Sequence, residues 1–186
     1  MVELIEVSVE FHGPFRVAEG TAGDGVDEVA RDGIPASSLK GVMRAAAAYR
    51  LALPAVVVDR IFGTVATASP WAWTDLRLRE PIVTTRTRVP LDPVTRTAVR
   101  GGLLVAQEVW SASAESFSVE WCGAADDEHL GDAHVLAGIA MSVKSLGASR
   151  RRGLGWVSLR PSVAGTPLSP TDAAAAIDRA RRGEGS

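Results

Sequence analysis

Between residues 2 and 11 the chain alternates, with Ile5, Val7, Val9 and Phe11 on one side and Glu6, Ser8 and Glu10 on the other. A period of two with one apolar side predicts a half-buried strand. From 12 to 36 no period holds, and the stretch contains five glycines and two prolines. It is expected to be a long loop, of the kind that in small domains tends to carry function. From Ser37 to about Leu53 the period becomes helical, with Leu39, Val42, Met43, Ala46 and Leu53 along one stripe. Ser37 or Ser38 is the expected N-cap. "RIFGT" (60–64) reads as a short turn, and strands are expected around 73–79 and 82–91.

"LDPVTRTAVRGG" (91–102) reads as a second irregular stretch bounded by turn residues. "LLVAQEVWSASA" and "SFSVEW" alternate and predict one long strand or a hairpin. A second helix is expected over about 128–145, then a glycine- and arginine-rich loop (146–156) and a final strand, "WVSLRP". "SPTDAAAAIDRARRG" predicts a short, capped, exposed helix. Strand, helix, strands, helix, strand is the βαββαβ order of an α+β domain, ferredoxin-like or RNA-recognition-motif-like. Residues 1–165 are expected to form one domain, with 166–186 as a C-terminal tail.

Composition narrows the classes. One cysteine, Cys122, excludes a disulfide scaffold and a four-cysteine metal site. The N-terminus shows no charged-then-apolar signal pattern, and no apolar run is long enough to span a bilayer. A soluble cytoplasmic protein with no membrane partner is expected. The net charge of −2 argues against a nonspecific nucleic-acid coat. It leaves room for a local basic groove, because phosphate affinity follows local charge. Of 20 basic residues only Lys40 and Lys144 are lysine, so arginine position is informative and arginine number is not.

Four features could carry chemistry. Lys40 and Arg44 lie four apart near a helix start, where like charges oppose one another and the helix dipole. They are either a solvated face or a phosphate site. "SLGASRRRGLGW" sets three arginines among Gly147, Gly153 and Gly155. It is either an exposed turn or a loop whose backbone approaches an anion closely. Asp24, Asp27, Glu28 and Asp32 are either soluble loop acids or a divalent-ion or acid–base site. Trp110, Trp121 and Trp156 fall in strands and are expected in the core, although tryptophan also stacks on bases. His12, His129 and His134 have no metal-ligand spacing, and no P-loop, dinucleotide fingerprint or HExxH is present.

"VDEVARDGIPASSLKGVMRA" (26–45) resembles the "I-D-x-P-V-I-R-D … I-P-G-S-S-L-K-G-x-x-R" signature of RAMP-superfamily CRISPR-associated proteins. It is most similar to the repeated backbone subunit of type III CRISPR effector complexes. "IFGT" resembles that family's Phe-Gly turn. "LDPVTRTAVRGGLLVAQEV" resembles its "I-D-R-x-T-x-x-A" thumb segment, and "LGASRRRGLGWV" its glycine-rich loop, "G-G-x-x-S-R-G-Y-G-x-V". The motifs follow the family's order and cover roughly residues 5 to 160. The sequence departs from the pattern at Ala36, Pro93 and Ala148.

The resemblance implies a RAMP domain with a thumb and a glycine-rich loop. It implies guide-RNA (crRNA) binding by Ser37, Ser38, Lys40 and Arg44, and by Gly147, Arg150, Arg151, Arg152, Gly153 and Gly155. Asp92, Thr95 and Arg96 fall in the thumb, which kinks the guide–target duplex. Asp27 falls where backbone subunits keep the aspartate that supports metal-dependent cleavage of target RNA. It is thus the catalytic and the metal-holding candidate, with Mg2+ or Mn2+ bound transiently and only with RNA. The implied partners are guide RNA, target RNA, copies of the chain and other CRISPR effector subunits in antiviral defence. Such an endoribonuclease would act only within the assembled complex. Three alternatives stay open. One is a non-catalytic RNA-binding subunit, another a guide-precursor processing endoribonuclease using His12, and the third a protein–protein module with no RNA.

Overall fold

The computed structural model describes residues 4–23, 26–29, 33–111, 115–123, 127–148 and 153–183, with the backbone alone described at 18–23, 26–29, 104 and 127–130. Strand β1 is Leu4–Phe11, and Ile5, Val7 and Val9 are each at most 1% exposed, as the alternation predicts. The stretch to 36 is not a loop. It contains β2 (Ala18–Gly23), β3 (Val26–Val29) and β4 (Gly33–Ile34). These strands are glycine-rich or very short, so they carry no apolar period to read. β2 pairs with its neighbour β3, while β3 and β4 take partners from far along the chain.

Helix α1 (Ala36–Ala45) runs into a π-helical turn (Ala46–Arg50). The expected helix to about Leu53 ends at Arg50, and an unexpected second helix, α2 (Ala55–Phe62), starts after Pro54 at its N-cap. The "RIFGT" turn is the end of α2, closed by Gly63 at φ 77. β5 (Trp71–Trp73), β6 (Leu76–Arg77) and β7 (Ile82–Arg88) follow. "LLVAQEVW" and "SFSVEW" form neither one strand nor a hairpin. They are β8 (Leu104–Trp110) and β9 (Glu115–Trp121), and they enter different sheets. The chain ends with α3 (Asp127–Ser142), β10 (Val157–Val163), β11 (Thr166–Pro167) and α4 (Pro170–Arg182).

The main sheet has the order β11-β10-β1-β9-β5. β1 is antiparallel to β10 and β9, and β5 is antiparallel to β9. Without the short edge strand β11 this is the ferredoxin-like arrangement of two βαβ crossovers sharing a sheet, the expected α+β plan. Helix α1 packs toward β5, and α3 toward β1 and β10, so the apolar face of β1 is closed by helices. The second sheet, β2-β3-β8-β7, is built wholly from the two insertions into this plan, and β3 and β8 run parallel in it.

The tail helix is capped as expected, with Asp172 N–H donating to Ser169 Oγ at 3.1 Å and Gly183 left-handed at its end. It is not exposed all round, since Ala173, Ala176, Ile177 and Ala180 are buried and the helix packs on α3. The tryptophan expectation also changes. Trp71 is 3% exposed, but Trp110 is 44% and Trp156 61% exposed, because each stands at a strand end on an uncovered side.

One ion pair locks the helical layer. Arg60 of α2 donates to both carboxylate oxygens of Asp132 on α3, at 2.6 and 2.9 Å, and the Asp132 side chain is only 5% exposed. Arg60→Ala would remove the fork from a buried carboxylate. Unfolding in urea should show a loss of about 2 kcal/mol, moderated because the Arg60 side chain is 38% exposed.

Candidate functional site

The start of α1 is not capped by Ser37 or Ser38. Pro35 takes the N-cap position without a side-chain bond, and the Ala36 N–H is met by Asp75 Oδ1 at 2.8 Å. A carboxylate from the β5–β6 region therefore already answers part of the helix's positive end. Lys40 is half-buried with its ammonium 5.0 Å from the centre of the Trp73 ring, a cation–π contact. Its pKa is lowered, first by burial and then by the neighbouring Arg44 charge.

Arg44 is engaged elsewhere. It donates to Gly63 O at 2.8 Å and to Asp59 Oδ1 at 2.9 Å. The helix that sequence reading missed, α2, supplies the counter-ion and the carbonyl. The two cations thus differ in kind: among the described residues Lys40 is held against a ring without a carboxylate, and Arg44 ties α1 to the end of α2.

The structure brings α1 and the glycine-rich loop together. A groove of about 350 Å³ has Ser38, Gly41, Val42 and Ala45 on one wall and Gly147 and Ala148 on the other. Arg150, Arg151 and Arg152 lie outside the described residues. The loop's base is closed by the Ser145–Trp156 bridge and by Leu146 N–H on Gly155 O at 2.8 Å. Its glycines differ. A Cβ on Gly155 would sit 1.9 Å from Leu146 O, and one on Gly147 would sit 2.3 Å from Arg16 O. Those two glycines permit close chain packing within the protein. Gly153, at φ 82, meets nothing within 4 Å, so it alone of the three faces open space.

The stretch read as irregular, 91–102, is an ordered hairpin tip between β7 and β8. Asp92 Oδ1 accepts the N–H groups of Val94 and Thr95, both at 2.8 Å, and Thr95 and Thr97 hydroxyls bond at 2.8 Å. The Asp92 pKa is lowered by the Thr95 backbone bond first and then that of Val94. Asp92 and Thr95 thereby shape the tip. Arg96, exposed and at φ 59, sits at its turn.

Asp27 lies in β3, in register with Ala106 of β8 and with Ala22 of β2. Asp24 and Asp32 lie outside the described residues, and of Glu28 only the backbone is described. Among the described residues no three His, Cys, Asp or Glu side chains form an ion cage. Of Asp27 too only the backbone is described. His12 Nε2 bonds Ser158 Oγ at 2.7 Å, on the far side of the main sheet from the helices. Sequence reading passed over Glu108, which is 3% exposed and paired with Arg86 and Arg88. The alternation of "TRTR" against "AQEVW" was the available signal.

The sequence pattern of the RAMP superfamily matches residues 14–158. The chain belongs to the RAMP superfamily. Among curated proteins none matches it. Solved structures similar to this RAMP protein include a chain of "Type III-B Cmr-beta bound to cognate target RNA", with 15% identity, a TM-score of 0.61, and coverage of 87% of this chain and 60% of that one. Another is a chain of the apo state of Type III-B Cmr-beta, with 13% identity, a TM-score of 0.63, and coverage of 84% and 96%. The RAMP chain thus spans about three-fifths of the first neighbour's length and nearly all of the second's. No helix among the described residues is long and apolar enough to cross a membrane.

Two measurements follow for the RAMP fold. Gly155→Ala should cost the free protein about 3 kcal/mol, through left-handed strain and the clash with Leu146 O, while Gly153→Ala should cost only about 1 kcal/mol. Chemical denaturation of the two variants without RNA checks the difference. The second concerns Asp92, whose folded pKa is depressed. Its cap is fully present above the unfolded value of about 3.9 and is lost as pH falls through the lower folded value. A carboxyl titration by NMR should place the Asp92 midpoint below that of a free aspartate. The Val94 and Thr95 amide shifts should change over the same pH window.

Proposed function

We propose that this RAMP protein is a backbone subunit of a type III CRISPR ribonucleoprotein effector, binding guide RNA and cleaving complementary target RNA beside Asp27. The supports are the ordered motif set, family membership, and a fold shared with chains of Cmr-beta, one of them from a complex bound to cognate target RNA. The observation that carries the reading is the parallel pairing of β3 with β8. It sets the Asp27 backbone beside Ala106, two ladder pairs from the tip end of the β7–β8 hairpin, which continues into the thumb-like 91–102 segment.

Guide RNA would follow the groove between α1 and the glycine-rich loop, held through phosphates and shape, while base pairing reads the target. Lys40 is its leading cation. Its lowered pKa comes first from burial and then from the Arg44 charge, and an RNA phosphate beside it would favour the charged form. At a kinked target nucleotide, the 2′-oxygen attacks the adjacent phosphorus in line, and the bond to the 5′-oxygen of the next nucleotide breaks. Asp27 would hold the divalent ion, Mg2+ or Mn2+, which when bound stabilises negative charge on the phosphoryl oxygens.

The test is a reconstituted guide-loaded complex. Asp27→Ala should lower target cleavage by about two orders of magnitude or more while guide retention stays at the wild-type level. Normal cutting by Asp27→Ala would remove the catalytic assignment. A wild type that binds target without cutting would identify the structural, non-catalytic subunit. Lys40→Ala should reduce the salt slope of guide binding by about one. Arg44→Ala should leave that slope unchanged and cost stability of up to about 1 kcal/mol, since Arg44 is half-exposed and already paired with Asp59.

A further inference from the structure

The second sheet carries a charge arrangement that guide binding leaves unused. In the β7–β8 ladder Thr84 stands opposite Glu108 and Arg86 opposite Ala106. Period-two alternation puts Thr84, Arg86 and Arg88 on one face with Ala106 and Glu108. Glu108 is buried on this face, and its oxygens meet Arg86 Nη1 at 3.5 Å and Arg88 Nη2 at 3.0 Å. On the other edge of β8, Asp27 is in register with the same Ala106. One row across the sheet therefore runs Asp27, Ala106, Arg86. With neighbouring strands about 4.8 Å apart, the backbones of Asp27 and Arg86 are about 10 Å apart, with an alanine between them.

A buried carboxylate needs one cation for compensation, and Glu108 has two. Arg88 makes the shorter contact and its side chain is 30% exposed. Arg86 makes the longer contact and its side chain is 59% exposed. Each guanidinium uses one N–H on Glu108, which leaves most of its five donors for another acceptor. The cluster carries one net positive charge, and its stems are fixed before any ligand arrives, which lowers the ordering cost of binding. The two stems rise about 7 Å apart along the strand and their planar forks converge on one carboxylate, which suits closely spaced phosphates of one nucleic-acid strand.

We propose that Arg86 and Arg88, clamped side by side by the buried Glu108, form a phosphate seat for the target RNA strand next to Asp27. The assignment to the target strand rests on the function proposed above, in which target RNA passes Asp27. Glu108 is a positioning residue in this arrangement. Arg86 is the open contact, because Arg88 alone can compensate Glu108.

The test uses guide-loaded complex and a target RNA with 2′-deoxy substitutions at the cleavage positions, so that affinity is measured apart from cutting. Arg86→Ala should weaken target binding about tenfold and reduce the salt slope by about one, with guide content unchanged. Arg86→Lys should restore the slope but only part of the affinity, because it returns the charge without the fork. Arg88 remains in both variants, so Glu108 stays paired and the melting temperature should hold within a few degrees. Wild-type affinity and slope in Arg86→Ala would overturn the seat. So would loss of neighbouring subunits with an unchanged slope, which would make the patch a protein interface. Should Arg86→Ala fail to fold, Arg86→Gln replaces it, with the same loss of slope expected. Asp27→Ala in a parallel cleavage assay separates the two ideas. If Asp27→Ala cuts normally, the cleavage reading falls, while the salt slope of Arg86→Ala still decides the seat.

Discussion

The arrangement of the two sheets depends on how the chain leaves β1. Phe15 is 0% exposed and stacks on Phe11 with ring centres 4.2 Å apart. Its backbone exchanges both hydrogen bonds with Val109 of β8, each 2.9 Å. The residues beside it are gripped by the glycine-rich loop, Pro14 O by Gly155 N–H at 2.8 Å and Arg16 O by Ala148 N–H at 2.6 Å. Two segments distant in sequence, β8 and the glycine-rich loop, thus meet on three consecutive residues, 14–16. If that grip loosened, β2 and β3 would lose their position relative to β8, and the groove beside α1 would lose a wall. The glycines at 147 and 155 are required because main chain, not side chain, fills the junction.

Legibility followed locality. β1, α1 and the tail helix announce themselves because each buries a stripe of its own side chains against a continuous core, whereas α3 is buried on most sides and is read from its apolar content. Strands β2 to β4 could not be read, since "AEGTAG" and "GI" have no alternating stripe, and β3 and β4 are held by partners about 40 to 80 residues away. Helix α2 was hidden because Pro54 was hard to distinguish from a terminator, although proline also opens helices. The candidate site was legible as a set of motifs and illegible as electrostatics. Arg44 looked like an open cation only while Asp59 was assigned to no helix. Trp110 and Trp156 looked like core because strand position alone does not say which face is covered.

Charge is divided between the faces in a way that net charge conceals. On the outer side of the main sheet, β1 and β9 present Glu6, Glu10 and Glu120 among serines, and Arg160 of β10 is held by Glu10 at 2.7 Å. That surface repels phosphate, even though in RNA-recognition domains the equivalent sheet face is where bases stack. Cations without full compensation collect instead on the helical side and on the second sheet: Lys40 against Trp73, and Arg86 with Arg88 on Glu108. A net charge of −2 is therefore compatible with RNA binding, because the glutamates of the outer main-sheet face stand apart from Lys40, Arg86 and Arg88.

The sorting also bears on why a ferredoxin-like core needs a second sheet at all. The core's own crossovers bury their inner surfaces, and its outer face is acidic, which leaves little backbone geometry for a rigid RNA contact. In the function proposed above, the insertions would provide it. Parallel pairing of β3 with β8 fixes Asp27 against the hairpin rather than against a mobile loop, and a strand row holds its register by the pleat. Residues on such a row keep fixed separations, whereas the same side chains in an unpaired 25-residue loop would have to be ordered by the ligand at an entropic cost. The pairing of two insertions, each too weak in apolar content to form a sheet alone, is thus what turns a family motif into a site of defined geometry.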